Sequence, residues 1–318
     1  MKSILIIGAT GNIGFSLTKK LSKHYKIHCI SRNTKITLPN VIFSNLNYRN
    51  KKKIKEFIKN KYFDYVINLI IYNKQQAKNE IKYFSQKIKN YIYISSTSVY
   101  NETKKKINEE SLAADTRWPV AKKKIDCDKF FILEYKKNKF PVTVIRAGHI
   151  YNSFTFPSNI IGLGNNLINL LKRNFPALLF NKKTKRALMH SEDFAEAIYQ
   201  ILNSKKNIKG EIINIASKKI ISWKFLYKIY FKYLRIQPKF KIVNSNNVRK
   251  INKKIYYALI GDRNKNTIYD QTKLKKFAPN FKEKIAIQEG LRQVVKYNIR
   301  YYKNNKRFKF YKKIYEKL

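Results

Sequence analysis

The sequence predicts an α/β fold, a doubly wound parallel sheet with a small C-terminal lobe. Three observations carry the prediction. A short apolar run, Ser3–Ile7, ends in a turn with glycines at 8, 11 and 14; apolar strands alternate with amphipathic helices through the first half; and that rhythm breaks after residue 150. Ser3–Ile7 is too short for a helix and rich in β-branched residues, which reads as a strand buried on both faces. Gly8 permits a tight turn, Gly11 lets the backbone approach an anion, and Gly14 lets the next helix pack on the strand. That helix, starting near Asn12 with Ile13, Leu17 and Leu21 on one face, aims free N–H groups and its dipole at a pyrophosphate. A second strand, Lys26–Ser31, follows, the context that a Rossmann-type dinucleotide site requires. Gly8, Thr10, Gly11, Asn12, Ile13 and Gly14 are the cofactor-binding residues expected of this turn.

The remaining elements follow in order. Residues 41–44 read as a third strand, 51–59 as a helix, 65–70 as a fourth strand, 77–87 as a helix and 91–95 as a fifth strand. This alternation places helices on both faces of a parallel sheet. A polar stretch over 101–117 leads to a helix over 120–135 and a sixth strand over 142–146, after which Pro157, Gly162, Gly164 and Pro176 break up short apolar pieces. A helix over 193–202 and a strand over 211–215 resume the pattern. Ser222 is placed to cap a helix over Trp223–Leu234, Pro238 ends it, and residues 239–243 form a further strand. The predicted organisation is a dinucleotide-binding core over 1–150, then a region over 151–318 that completes the core at about 187–216 and builds a substrate lobe and a basic C-terminal helix.

Lys+Arg total 69 against Asp+Glu 19, a formal charge of +50 and a pI near 10.2. Such a surface attracts nucleic acid. The excess is mostly lysine, however, and is spread along the whole chain beside abundant Ile, Asn, Tyr and Phe, the set that AT-rich codons produce. Compositional drift accounts for it, because charge speaks to solubility and non-specific association and not to fold. The densest basic and aromatic cluster, residues 300–317, also reads as a terminal helix with an aromatic docking face. No apolar run is long enough to span a bilayer, and the chain enters its first strand with no signal peptide in front, so a cytoplasmic location without a membrane partner is expected. Cys29 and Cys127 have no metal-site spacing, and no metal is expected.

At this point the motifs carry a resemblance. GATGNIG, FDYVINL, YISSTSVY, VTVIRAGHIY and LMHSEDFAEAI resemble the successive signatures of extended short-chain dehydrogenases/reductases of the NAD-dependent epimerase/dehydratase type. The blocks NIASKKIISWKFLYKIY and GDRNKNTIYDQTKLKKFAPNF are similar to the substrate-side lobe of a branch known only as epimerases, with the chloroplast stem-loop-binding proteins as more distant relatives. The resemblance implies an oxidoreductase acting on a nucleotide sugar or a related polar metabolite, with a homodimer as its assembly. The alternative is a non-catalytic dinucleotide-binding protein that binds RNA.

The resemblance also implies site residues. Ser96 matches the hydroxyl residue at the end of strand five, and Lys124 matches the lysine that lowers the pKa of a catalytic tyrosine and bonds the nicotinamide ribose. The tyrosine belongs four residues before Lys124, where the chain has Val120. Tyr-x-x-x-Lys spacings at Tyr83/Lys87, Tyr100/Lys104 and Tyr135/Lys139 are chance in so lysine-rich a chain, although Tyr100 lies near the site. At the end of the second strand Ser31-Arg32 replaces the acid that takes the ribose 2′-hydroxyl of NAD, so Arg32 favours NADP, with NAD as the other candidate. Asn45 stands where an aspartate often contacts the adenine. Ala147 and Gly148 are expected against the nicotinamide, and His149 and Trp118 against the substrate. His190 and Asp193 are expected to be structural, at a helix start.

Overall fold

The computed structural model describes residues 1–32, 36–101, 106–113, 117–301 and 307–318. The first half alternates as its pattern requires: β1 (Ser3–Ile7), α1 (Gly14–Leu21), β2 (Lys26–Ser31), β3 (Val41–Asn45), α2 (Lys51–Ile58), β4 (Phe63–Asn68), α3 (Lys74–Phe84), β5 (Ile88–Ser96), α4 (Pro119–Asn138) and β6 (Val142–Ala147). With β10 (Ile212–Ile215) these strands form one parallel sheet in the order β10-β6-β5-β4-β1-β2-β3. The strand order reverses between β1 and β4, and ligands of open α/β sheets bind at the carboxyl ends of the strands at such a switch. The two faces of the sheet are buried in separate apolar clusters, one under α1 and the other under α3 and α4.

Two helix starts differ from the expected ones, α3 beginning earlier through a side-chain cap and α1 later after a turn. Asn73 accepts a hydrogen bond from Gln76 N, so α3 begins at Lys74. Residues 11–13 form turns and α1 proper begins at Gly14, with Ile13 as a cap that supplies no side-chain bond.

The second half adds β7 (His149–Tyr151), α5 (Asn166–Lys172), β8 (Ala177–Leu179), β9 (Lys185–His190), α6 (Ser191–Leu202), then β10, β11 (Ile220–Ser222), α7 (Trp223–Leu234) and β12 (Phe240–Ile242). It closes with α8 (Ser245–Ile251), α9 (Lys253–Ala258), a π-helical turn over Leu259–Arg263, α10 (Thr272–Phe277), α11 (Ile287–Tyr301) and α12 (Phe308–Lys317). β9 sits between β7 and β11 in a three-stranded sheet, and β12 pairs with β8. The lobe has its own core of Leu167, Leu171, Tyr227, Tyr230 and Val294 among others, onto which α12 docks Phe308, Tyr311, Ile314 and Tyr315. The basic cluster over 300–317 is thus the end of α11 and α12, with residues 302–306 outside the described residues.

Candidate functional site

The glycine turn is built as a cradle. Gly8 has φ +89°, and its N–H bonds the Ile30 carbonyl at 3.2 Å, holding the turn against β2. A Cβ on Gly14 would collide with the Gly8 carbonyl and the Ala9 backbone. A Cβ on Gly11 would meet only the Gly8 oxygen, at 3.4 Å, so the position opens into the cleft. With no cap on its first turn and no acid there, α1 leaves N–H groups for an anion. Thr10 Oγ1 lies 2.6 Å from Ser31 Oγ, tying the turn to the end of β2. The Asn12 side chain faces away from the turn and bonds Asn152 Nδ2 and Thr155 Oγ1 of the lobe.

From this turn a cleft of about 600 Å³ runs along the ends of β2 and β4, lined by Gly8, Thr10, Gly11, Arg32, Tyr48 and Tyr72 among others. Asn45 pairs with Ser31 but does not line the cleft, which is walled there by Leu46 and Asn47. At its floor lies Glu80, whose Oε2 accepts from Tyr48 and Tyr91 hydroxyls at 2.6 Å each and from Asn68 Nδ2 at 3.0 Å. Burial pushes the Glu80 carboxyl up to about 7 against these three donors.

A second pocket, of about 210 Å³, opens beyond β5 and brings together Ile13, Ser96, Trp118, Ala147, Gly148 and His149. Ser96 ends β5 and caps the following 3₁₀ turn, accepting from Ser98 N at 3.2 Å and Ser98 Oγ at 2.9 Å. Trp118 begins α4 and packs so closely on Gly261 that a Cβ there would stand 2.6 Å from the Trp118 Cβ. Gly148 N bonds the Ile215 carbonyl at 2.8 Å.

Lys124 lies behind these residues, 7% exposed. Its Nζ donates to the carbonyls of Ile71 at 2.6 Å and Ile94 at 3.0 Å, and sits 4.9 Å from the Tyr93 ring centroid and 5.1 Å from that of Tyr72. Burial lowers its pKa to about 8, while Asp128 opposes the shift. Asp128 is itself held by Ser95 Oγ at 2.5 Å and Arg146 Nε at 2.8 Å, and Arg146 continues to the Tyr100 hydroxyl at 2.7 Å. Tyr100 also donates to Asn214 Oδ1 at 2.8 Å, and burial raises its pKa to about 12. It packs behind the strand ends and does not line the pocket; Lys104 lies outside the described residues. Val120, in the first turn of α4, is 39% exposed.

Sequence reasoning did not single out the charged group on the lobe side. The Nη1 of Arg263 lies 2.6 Å from the His149 ring nitrogens, and Arg186 Nη2 bonds Asp262 Oδ1 at 2.8 Å. Burial, then Arg263 and Arg186, drive the His149 pKa well below the usual 6.5, so the imidazole is neutral. Burial would raise Asp262, but the two guanidinium groups hold it below the usual carboxylate range. These residues share the 210 Å³ pocket with Ser96, and His149 and Arg263 also line an adjoining cavity of about 290 Å³ that includes Asn12. The only foreshadowing was the GDR triplet within the lobe block. His190 caps α6 through its Nδ1, and Asp193 accepts from Lys284 N and Ile285 N, docking the segment before α11. No His, Cys, Asp and Glu cluster suited to a metal occurs among the described residues, nor any helix long and apolar enough to cross a membrane.

Known proteins resemble this chain in sequence and fold. The chain is 24% identical over 212 residues to a dTDP-D-glucose 4,6-dehydratase of Mus musculus, spanning 66% of this chain and 56% of that protein. It is 25% identical over 258 residues to that of Dictyostelium discoideum, spanning 68% and 57%. It thus spans little more than half the length of these relatives. The UDP-glucuronic acid 4-epimerase of Bacillus cereus, solved with UDP-glucuronic acid and NAD, superposes with a TM-score of 0.74 at 19% identity, covering 94% of this chain and 100% of the other. The dTDP-glucose 4,6-dehydratase of Bacillus anthracis, solved with NAD, superposes with a TM-score of 0.74 at 17% identity, covering 97% and 98%. These likenesses establish the Rossmann-type fold. The family model for the NAD dependent epimerase/dehydratase family matches residues 4–216, and the chain belongs to that family.

Proposed function

We propose that the protein binds a nicotinamide dinucleotide, NADP in preference to NAD, and takes a nucleotide sugar or a related polar metabolite beside it, with catalysis impaired by Val120. The observation that supports this most is the glycine cradle opening into a cleft on one side and the Ser96 pocket on the other. In this reading Gly8–Gly14 and the start of α1 hold the pyrophosphate, the larger cleft takes adenosine with Arg32 at the ribose, and Ile13, Ala147 and Gly148 border the nicotinamide. The bound dinucleotide supplies a hydride donor or acceptor. Lys124, with two donors given to Ile71 and Ile94, keeps one N–H for the adjoining ribose. The neutral His149 can donate or accept one hydrogen bond to a sugar hydroxyl, and Arg263 supplies positive charge for a phosphate or carboxylate of the substrate. Valine moves no proton, so the phenol that usually does so has no replacement in the first turn of α4.

Fluorescence titration tests the binding claim. NADPH is expected to bind more tightly than NADH, with Arg32→Ala narrowing the difference. Gly11→Val is expected to abolish binding of both, because its side chain enters the open cleft while the fold has room for the Cβ. A folded wild type that binds neither dinucleotide overturns the reading.

A further inference from the structure

Glu80 is an acid with no cation beside it, set in the floor of the 600 Å³ cleft. It is 2% exposed and is the one carboxyl among the residues that line that cleft. Three hydrogen bonds converge on its Oε2, from the Tyr48 and Tyr91 hydroxyls at 2.6 Å and from Asn68 Nδ2 at 3.0 Å, and all three donors are neutral. No ion pair engages it among the described residues, although Arg32, Arg49 and Lys51 line the same cleft. The network reaches three walls of the cleft at once. Tyr48 comes from the β3–α2 connection, Glu80 from α3, and Asn68 ends β4, where its Oδ1 accepts from Ile70 N at 2.9 Å.

A buried carboxyl held only by neutral donors favours its protonated form, because ionisation would place a full charge in a poorly solvated site. Burial accordingly brings Glu80 up to about 7. The groups around it do not share this titration. Burial raises the Tyr48 and Tyr91 phenols well above their ordinary 10, and Tyr83 rises as well, so the phenols facing the carboxyl from the β3–α2 connection, β5 and α3 stay neutral. Lys124, whose Nζ holds the Ile71 carbonyl just beyond β4, titrates higher, at about 8. Near neutral pH, Glu80 is thus the group of this network that changes charge.

We infer that Glu80 is a proton-linked gate on the cleft: protonated, it leaves the floor neutral and admits an anionic dinucleotide, and ionised, it opposes the pyrophosphate, so that binding takes up a proton and loosens as pH rises through neutrality. The inference rests on the dinucleotide reading for its ligand. Its sign follows from linkage. An anion held close to Glu80 stabilises the protonated carboxyl, and by reciprocity ionisation of that carboxyl lowers the affinity for the anion. A cationic surface alone predicts no such step, because an ordinary lysine or arginine keeps its charge through pH 7.

Calorimetric titration with NADH tests the gate, since neither of its phosphates titrates between pH 6 and 8. Wild type is expected to bind about threefold more weakly at pH 7.5 than at pH 6, and to take up about 0.4 of a proton at pH 7, read from the dependence of the observed heat on buffer ionisation enthalpy. Glu80→Gln keeps an acceptor for the hydroxyls and should bind equally at both pH values; a change confined to pH above about 8 belongs to Lys124. Tyr48→Phe removes a donor that lowers the Glu80 pKa, so its fall in affinity should move to higher pH, a readout that survives if Glu80→Gln does not fold. Equal wild-type affinity at pH 6 and 7.5 with no proton taken up overturns the gate and keeps the dinucleotide site. The same fall and uptake in a folded Glu80→Gln, or a fall in Tyr48→Phe that stays in place or moves to lower pH, also overturns it. A folded wild type that does not bind NADH at pH 6 overturns it too, and binding of NADPH there decides whether the dinucleotide reading falls with it.

Discussion

At the scale of single residues the site turns on Val120. It occupies the first turn of α4 two positions after Trp118, which lines the Ser96 pocket, and it is exposed enough to accept a ring. Lys124 one turn on is buried and carries a pKa near 8, the setting in which a neighbouring phenol would give up its proton more easily. Val120→Tyr is therefore expected to raise hydride transfer with a nucleotide-sugar substrate by about 10²- to 10⁴-fold, the usual contribution of a placed acid/base group. Nicotinamide absorbance in a panel of UDP- and dTDP-sugars reads this directly. Robust wild-type turnover that disappears in Ser96→Ala would mean that Ser96 or a water moves the proton, and the impairment reading would fall. That a valine stands four residues before Lys124 is legible in the sequence alone. What Tyr100 does beside the site is not legible there, since only the fold shows its hydroxyl committed to Arg146 and Asn214.

At the scale of elements, the inner strands of the main sheet were legible because each is a short run rich in apolar residues, buried on both faces, that no helical period fits, whereas the edge strand β3 is only partly covered. Three-residue strands such as β7, β8 and β11 have no period to read and form only by pairing with partners remote in sequence. The buried carboxyl of Glu80 was equally hidden: it looks like one polar residue of a surface helix, yet it joins α3 to the β3–α2 connection, β4 and β5 through Tyr48, Asn68 and Tyr91. Its pKa of about 7 when folded lies above the 4.5 of an ordinary glutamate, so the folded state holds this proton after the unfolded chain has lost it. The stability tied to that proton is fully present below about pH 4.5 and is lost as pH rises through about 7, by about 3 kcal/mol for a shift of this size. Glu80→Gln keeps an acceptor for the hydroxyls and removes the titration. Chemical denaturation between pH 4.5 and 8 should therefore show wild type losing stability relative to Glu80→Gln, and parallel curves would refute the assignment.

At the scale of the whole molecule, the glycine turn, Ser96 and Lys124 each lie in a local motif legible in the sequence, and the fold gathers them from the turn after β1, the end of β5 and α4. The Arg186, Asp262 and Arg263 group was not legible there, because Arg186 and Asp262 stand 76 residues apart and meet only when the π-helical turn folds back on β9. The net charge is a property of this same scale. With 69 basic and 19 acidic residues, the chain carries a formal excess of fifty positive charges whatever the fold does. They are distributed over many elements, and α12 turns Phe308, Tyr311 and Tyr315 into the lobe core while Phe310 stays exposed. A diffuse cationic surface binds any polyanion through counterion release, with affinity falling steeply and linearly in log salt and with no sequence preference. Filter binding of unrelated structured RNAs and of heparin should give superimposable salt titrations, with non-specific dissociation constants of about 10⁻⁴ to 10⁻⁶ M at physiological salt. One stem-loop held far more tightly than the others at that salt would require a surface selected for RNA, and would return the non-catalytic RNA-binding reading to first place.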